Sequence, residues 1–506
     1  MPPAHRAAAL GALFLAAATR AALAAPPPAA PPPAAPPHVV PPLALAPCQI
    51  EHPLRLSVLA AECGVLEVPE NPAAPERRTI GLRVARVAAI SRRKQPDPLI
   101  VLAGGPGAAA TGFYASVAPA FARIQRDRDI VLLDQRGTGG SNPLECAEPE
   151  NLAGPANAQA IAAAARSCLA ALAGRADVAW YTTSLAVQDL ERVRAALGLE
   201  RINLYGSSYG TRVALQYLRR FPAHTRSVIL DGVVPIDQPM GAVSALDAEA
   251  ALDRILGRCA ADAACRTRFG DPHADYNAVR TALRVSTVPI SARDPLTGAD
   301  TSFEFSAAHL ASVLRLVSYT SEYAALLPLL LHAAATQEDY APLASQYLMV
   351  ERAYGQSVAT GMHNSVVCAE DVPLFAAHPV DRARLAATYL GARQLDGLEA
   401  VCRVWPHGPV DEDLRAPLHS EVPAVLLSGS DDPATPPEYA HEVARAFTHH
   451  LDVVLEGFGH GQLTAPCVDR IMAQFLAQAR VESLDVSCVR AARPLAFFTS
   501  MTGPPP

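Results

Sequence analysis

Along the chain, short runs of consecutive apolar residues alternate with stretches in which apolar residues recur every three or four positions. The first pattern reads as strands buried on both faces, the second as amphipathic helices. Leu56 to Val68 and Arg78 to Ala88 predict two opening strands able to pair as a hairpin. Four short buried strands are expected next, at Pro98 to Ala103, Asp129 to Asp134, Arg201 to Tyr205 and Arg226 to Asp231. Helices are expected between them, from Ala158 to Ala173 and from Ser184 to Leu197. From Ile236 to Leu418 the texture becomes mostly helical. Strand-like runs return at Pro423 to Ser428 and Leu451 to Glu456, followed by a helix from Cys467 to Arg480. This alternation predicts an α/β fold with a mostly parallel sheet and flanking helices, interrupted by a large helical insertion.

The N-terminal end follows different rules. His5 and Arg6 precede an apolar run from Ala7 to Ala18, and Ala22-Leu23-Ala24 has the small-x-small form of a cleavage site. A signal peptide is therefore expected over residues 1–24, followed by a Pro/Ala-rich extended linker over 25–47. The apolar run from Ala324 to Ala335 is too short to span a bilayer and contains Pro328 and His332. The 506 residues exceed what one apolar core supports. The expected organisation is thus a core α/β segment over 48–235, a helical cap over 236–418, and a second core segment with a C-terminal extension over 419–506.

Ten cysteines change the picture further: Cys48, Cys63, Cys146, Cys168, Cys259, Cys265, Cys368, Cys402, Cys467 and Cys488. The number is even, and no close C-x-x-C or Cys/His cluster points to zinc or another metal. Short loops close most easily, so sequential pairing into five local disulfides is expected. Export to the periplasm or beyond fits both the disulfides and the signal peptide. The net charge of −7 lacks the basic footprint of a nucleic-acid binder. A peptide or small molecule is the expected partner.

Candidate chemistry concentrates in loops that follow strands. Gly206-Ser207-Ser208-Tyr209-Gly210 is a G-x-S-x-G motif between a strand and a helix, the setting of a nucleophile elbow. Only Ser208 is centred between the glycines. A serine hydroxyl needs a general base, and the base needs an orienting acid. Asp431 and Asp432 follow the strand ending at Ser428, and His460 follows the strand ending at Glu456. Asp432 is preferred because it precedes Pro433, which holds the loop extended. An oxyanion needs N–H donors, for which Tyr209 and Gly105 are the candidates; Pro106 has no N–H to give. Gly105 to Ala110 also fits a G-x-G-x-x-A dinucleotide pattern, but a proline sits in the turn that would approach the pyrophosphate.

Ala103-Gly-Gly-Pro-Gly107, Asp134-Gln-Arg-Gly-Thr-Gly-Gly-Ser141, Gly206-Ser-Ser-Tyr-Gly-Thr211, Gly429-Ser-Asp-Asp-Pro-Ala-Thr-Pro436 and Gly457-Phe-Gly-His-Gly461 occur in that order. Together they resemble the prolyl aminopeptidase and tripeptidyl aminopeptidase family of α/β-hydrolases, over about residues 48–490. The resemblance implies an α/β-hydrolase fold with a helical cap. It also implies a secreted serine exopeptidase that needs no metal or other cofactor. On it Ser208 is the nucleophile, Asp432 the acid, His460 the base, and Gly105 with Tyr209 the oxyanion hole. Ala103 stands where prolyl aminopeptidases usually have histidine, a change the tripeptidyl branch tolerates. Ser365-Val-Val-Cys-Ala-Glu-Asp371 resembles the family's cysteine followed by acids. Glu370 and Asp371 are therefore candidates to bind a substrate ammonium, with an ion pair or helix cap as the other reading. The expected activity is aminopeptidase, with a carboxylesterase or amidase using the same triad as the alternative. A non-catalytic binding protein on this fold is the rival from another class.

Overall fold

The computed structural model describes residues 42–146, 157–295, 297–355 and 357–504. The expected signal peptide and most of the expected linker lie outside the described residues. Eleven strands are present: β1 (Ala46–Glu51), β2 (Val58–Pro69), β3 (Thr79–Val87), β4 (Leu99–Leu102), β5 (Ile130–Leu133), β6 (Ile202–Ser207), β7 (Thr225–Asp231), β8 (Val288–Arg293), β9 (Asp300–Phe305), β10 (Ala424–Gly429) and β11 (His450–Leu455). Nine of them form one sheet in the order β1-β2-β3-β5-β4-β6-β7-β10-β11. The first four members pair antiparallel, and every pair from β5 to β11 is parallel.

The central strands are apolar because both faces of the sheet are covered. Every residue of β4 and β5 is buried. Side chains alternate between two apolar layers: Ile100, Leu102, Leu204 and Leu426 face one, and Leu99, Val101, Tyr205 and Leu427 the other. The order places β5 on one side of β4 and β6 on the other. That reversal is a topological switch point, where open α/β sheets leave a crevice at the carboxyl ends of the strands. The loops after β4 and β6 both open there.

Between β7 and β10 the chain forms helices running from Ser244–Ala261 to Arg393–Cys402. Those as far as Ala341–Gly355 pack around an apolar cluster that includes Leu252, Ile255, Leu314 and Phe305, whereas Met362, Val366 and Cys402 from the later helices join the cluster of Ile100 and Leu204, and Leu385 and Leu395 meet Ala245 in a fourth, small one. Two elements depart from the sequence reading. The hairpin β8–β9 lies inside the mostly helical stretch, and β1 begins at Ala46, within the residues read as linker. The run from Ala324 to Ala335 contributes to helix Leu327–Gln337, and no helix of the described residues is long and apolar enough to cross a membrane.

All ten cysteines pair in sequence: Cys48–Cys63, Cys146–Cys168, Cys259–Cys265, Cys368–Cys402 and Cys467–Cys488. The loops they close span 6 to 34 residues. Each bond of this kind contributes about 2–4 kcal/mol, chiefly by restricting the unfolded chain. Peptide mapping without reduction should recover Cys259 joined to Cys265 and Cys368 joined to Cys402. Free thiols at those four positions in protein from an oxidising compartment would contradict the pairing.

Candidate active site

The elbow is built by close backbone packing. Ser208 joins β6 to the helix Tyr209–Arg220 with φ 54° and ψ −124°, a strained conformation for a residue with a side chain. Its N–H donates to the Asp231 carbonyl on β7 at 2.8 Å. A Cβ on Gly206 would lie 2.5 Å from the Gly210 carbonyl oxygen, and one on Gly210 would run into the Leu102 carbonyl. Both glycines are therefore required for the helix to pass this close to β4. Tyr209 is fully buried, its hydroxyl 2.7 Å from Thr183 Oγ1. As the first residue of its helix, its N–H has no intrahelical acceptor.

The loop after β4 comes directly against Ser208. A Cβ on Gly104 would stand 2.9 Å from Ser208 Cβ, and Gly105 follows with φ +105°. The Asp134–Ser141 motif holds this region from below. Asp134 accepts from the Thr111 N–H and hydroxyl at 2.9 Å each and from the Gly140 N–H at 3.0 Å. Arg136, wholly buried, makes a two-pronged pair with Asp189 at 2.6 and 2.9 Å. Such a fork fixes orientation as well as charge.

Across the sheet, the loops after β10 and β11 present Asp432 and His460. His460 Nδ1 donates to Asp432 Oδ2 at 2.8 Å. Asp432 is fully buried and accepts further bonds from the Ala434 and Thr435 N–H groups at 2.7 and 2.8 Å and from the Thr435 hydroxyl at 2.9 Å. Burial alone would raise its pKa, but His460 and these donors outweigh it and hold the carboxyl below the usual range. Burial likewise opposes the imidazolium of His460, and Asp432 overcomes it, so His460 is more basic than a free imidazole. Asp431 points elsewhere: its carboxylate pairs with Arg258 Nε at 2.7 Å.

Ser208 and His460 are joined through β7. Asp231, whose carbonyl takes the Ser208 N–H, accepts the Gln462 N–H with its carboxylate at 2.9 Å. A Cβ on the next residue, Gly232, would be 3.0 Å from His460 Cε1. Among the described residues no hydrogen bond links Ser208 Oγ to His460. Catalytic contacts of this type often tighten only with substrate bound.

Ser208, Gly105 and Thr435 line a cleft of about 850 Å3 whose other wall is the insertion, with Asp247, Arg315 and Tyr319 among its residues. Its size suits an organic ligand or a short peptide. Glu370 and Asp371 are not among the residues lining it; they sit in the ion-pair arrangement that was the other reading of these acids. Asp371 is gripped by Arg212 at 2.8 and 2.9 Å, by Arg415 at 2.8 Å and by the Met240 N–H at 2.8 Å. Glu370 accepts the Thr183 N–H and hydroxyl at 2.6 and 2.8 Å. Both acids are spent on a buried ion-pair cluster. One signal foreshadowed it: Arg212 falls on the buried face of the helix that follows the elbow. Thr435, Asp231 and Asp247 were not singled out from the sequence, although Thr435 belongs to the acid-bearing motif. Among the described residues no group of three or more His, Cys, Asp or Glu side chains is placed to hold a metal ion.

Comparison with known proteins agrees with this geometry. Residues 97–263 match the family described as alpha/beta hydrolase fold, and residues 387–488 match the family described as TAP-like protein. The chain is 31% identical over 189 residues to tripeptidyl aminopeptidase of Streptomyces lividans, covering 34% of this chain and 35% of that protein. It is 24% identical over 462 residues to serine protease Hip1 of Mycobacterium tuberculosis, covering 85% of this chain and 88% of that protein. It is 27% identical over 467 residues to carboxylesterase B of Mycobacterium tuberculosis, covering 85% and 87%. With these matches, the switch-point crevice and the serine elbow, the chain has the α/β-hydrolase fold and is a hydrolase that resembles the tripeptidyl aminopeptidases.

Proposed function

We propose that this hydrolase is an exported serine aminopeptidase that releases residues or short peptides from free N-termini. The observation that carries the reading is the buried Asp432–His460 pair, held by Thr435, which with Ser208 lines the cleft. In this reading Ser208 attacks the scissile carbonyl and His460 takes its proton through Nε2, since Nδ1 is committed to Asp432. The N–H groups of Gly105 and Tyr209 receive the oxyanion. His460 then protonates the leaving amine, and water repeats the sequence on the acyl-enzyme. Residues 236–418 act as the cap over the cleft. Five disulfides support export.

Asp247 supplies the carboxylate this activity needs. It lines the cleft and accepts the Tyr439 hydroxyl at 2.8 Å, while burial pushes its carboxyl up to about 6. A charge-assisted contact from Asp247 to a substrate ammonium is worth about 1.5–3 kcal/mol, or roughly 10- to 150-fold in kcat/KM. Free-amine aminoacyl amides should thus be cleaved that much faster than their N-acetylated twins, and Asp247→Asn should shrink the difference. Asp247 is ionised above its pKa, so KM for the free-amine substrate should climb as pH falls through about 6 and KM for the acetylated one should not. The likeness to carboxylesterase B supports a second reading, an esterase with the same triad. Equal cleavage of free and acetylated substrates would favour it.

A further inference from the structure

The insertion reaches past the cleft wall to the two loops that carry the acid and the base. Helix Ala307–Val317 ends in the turn Ser318–Tyr319, which lies against the His460 loop. The His460 N–H donates to the Tyr319 carbonyl at 2.6 Å. The phenol ring of Tyr319 stands edge-on to the imidazole, with centroids 5.0 Å apart and planes at 72°. Gly459 makes room for this approach, since a Cβ there would fall 2.5 Å from the Tyr319 carbonyl oxygen. One turn earlier on the same helix, the Arg315 guanidinium sits over the Tyr319 ring at 5.5 Å. Its Nη1 also donates to the Pro433 carbonyl at 2.5 Å, next to Asp432 in the chain.

We propose that Arg315 and Tyr319 are positioning residues for His460: the tyrosine fixes the imidazole plane, and the arginine ties that tyrosine to the acid loop. The pair spans both loops from one helix end, so neither loop can shift without breaking a contact to the other. An edge-to-face ring contact and a cation over a ring both depend on orientation, which is what a base needs held. The arginine has an electrostatic part as well. The charged groups that face His460 are Asp432 from the β10 loop, Asp231 from β7 and Arg315 from the insertion, and Tyr319 adds a neutral phenol. The two carboxylates favour the imidazolium, whereas Arg315 opposes it.

The proposal rests on His460 being the general base, and its test separates the two ideas. The readouts are the rate of inactivation by a fluorophosphonate and kcat/KM for a small neutral ester, each followed across pH in the full-length protein. Tyr319→Leu should slow inactivation about 3- to 10-fold with KM for the ester little changed, and Tyr319→Phe should recover most of the loss. Arg315→Gln should move the midpoint of the acidic limb, where activity rises as His460 loses its proton, to higher pH, and Arg315→Lys should move it back. An unshifted midpoint in Arg315→Gln together with a wild-type rate in Tyr319→Leu overturns the proposal. So does an effect confined to KM. If Tyr319→Leu fails to fold by circular dichroism, the Arg315→Gln midpoint decides alone. Labelling that survives in Ser208→Ala would sink the catalytic reading itself. Labelling that needs Ser208 but ignores Arg315 and Tyr319 sinks only this proposal.

Discussion

Ser208→Ala should lower turnover by about a million-fold and abolish fluorophosphonate labelling, with the thermal unfolding midpoint unchanged within error. The size is that expected for loss of the proposed nucleophile; the neighbouring hydroxyl, Ser207, is buried as the last residue of β6. The silence in stability follows from the structure. Ser208 Oγ makes no hydrogen bond among the described residues, so its removal leaves no partner unsatisfied. The strained φ of 54° is a property of the turn, and alanine carries a Cβ like serine. A drop in stability would mean that the hydroxyl has a structural partner. Wild-type turnover in the variant would place the nucleophile elsewhere, and labelling absent from the wild type would favour a binding protein on this fold.

Asp432→Asn should slow turnover by about 10,000-fold, and Asp431→Asn by less than about tenfold. The two carboxylates are adjacent in sequence and face opposite tasks. Asp432 takes the Nδ1–H of His460 and four bonds in all, which keeps it ionised well into acid. An amide at this position can turn its NH2 toward Nδ1, which favours the tautomer with the proton on the wrong nitrogen. It also removes the charge that stabilises the imidazolium. Because His460 is held more basic by Asp432, the variant should in addition show the acidic limb of its pH profile at lower pH. Asp431 instead anchors Arg258 from the helix Ser244–Ala261, so Asp431→Asn should act on thermal stability more than on rate. Equal losses, or the reverse order, would show that the wrong aspartate orients the base.

The sheet was legible wherever burial imposed an unbroken apolar run. β4, β5, β6, β7, β10 and β11 each lie within two residues of the run that predicts them, the first five because both of their faces are covered and β11, an edge strand burying Val453 and Leu455, through its Val-Val-Leu run. β1 and the hairpin β8–β9 left no such trace. β1 buries Ile50 alone and carries Pro47, while β8 and β9 each bury one residue, Ile290 and Phe305. A two-stranded ribbon or an edge strand needs few apolar positions, so its sequence resembles a loop. The loops bearing Ser208, Asp432 and His460 could be read because each directly follows a strand. Glu370 and Asp371 could be read either as ammonium ligands or as ion-pair partners, for a different reason. Acids are visible in a sequence, but the arginines that neutralise them, Arg212 and Arg415, lie 158 and 44 positions away from the acids they meet. Arg315 and Tyr319 announce nothing by motif, since their role comes from where a helix of the insertion happens to end.

The position of β1 has a mechanical consequence. It is the outermost strand of the nine, five strand spacings or about 24 Å from β6. Anything attached upstream of Leu43, such as a bead or a surface linkage, pulls first on Leu43, whose N–H donates to the Ala196 carbonyl at 2.9 Å, and then on that edge, not on the loops around Ser208. Antiparallel edges peel one residue pair at a time under load. Here the peeling can undo the pairs made by Ala46 and Pro47 before it meets Cys48, which is bonded to Cys63 on β2. Beyond that point the force passes through a covalent bond into the second strand. An immobilised enzyme should therefore keep its crevice intact under tension until the disulfide is reduced.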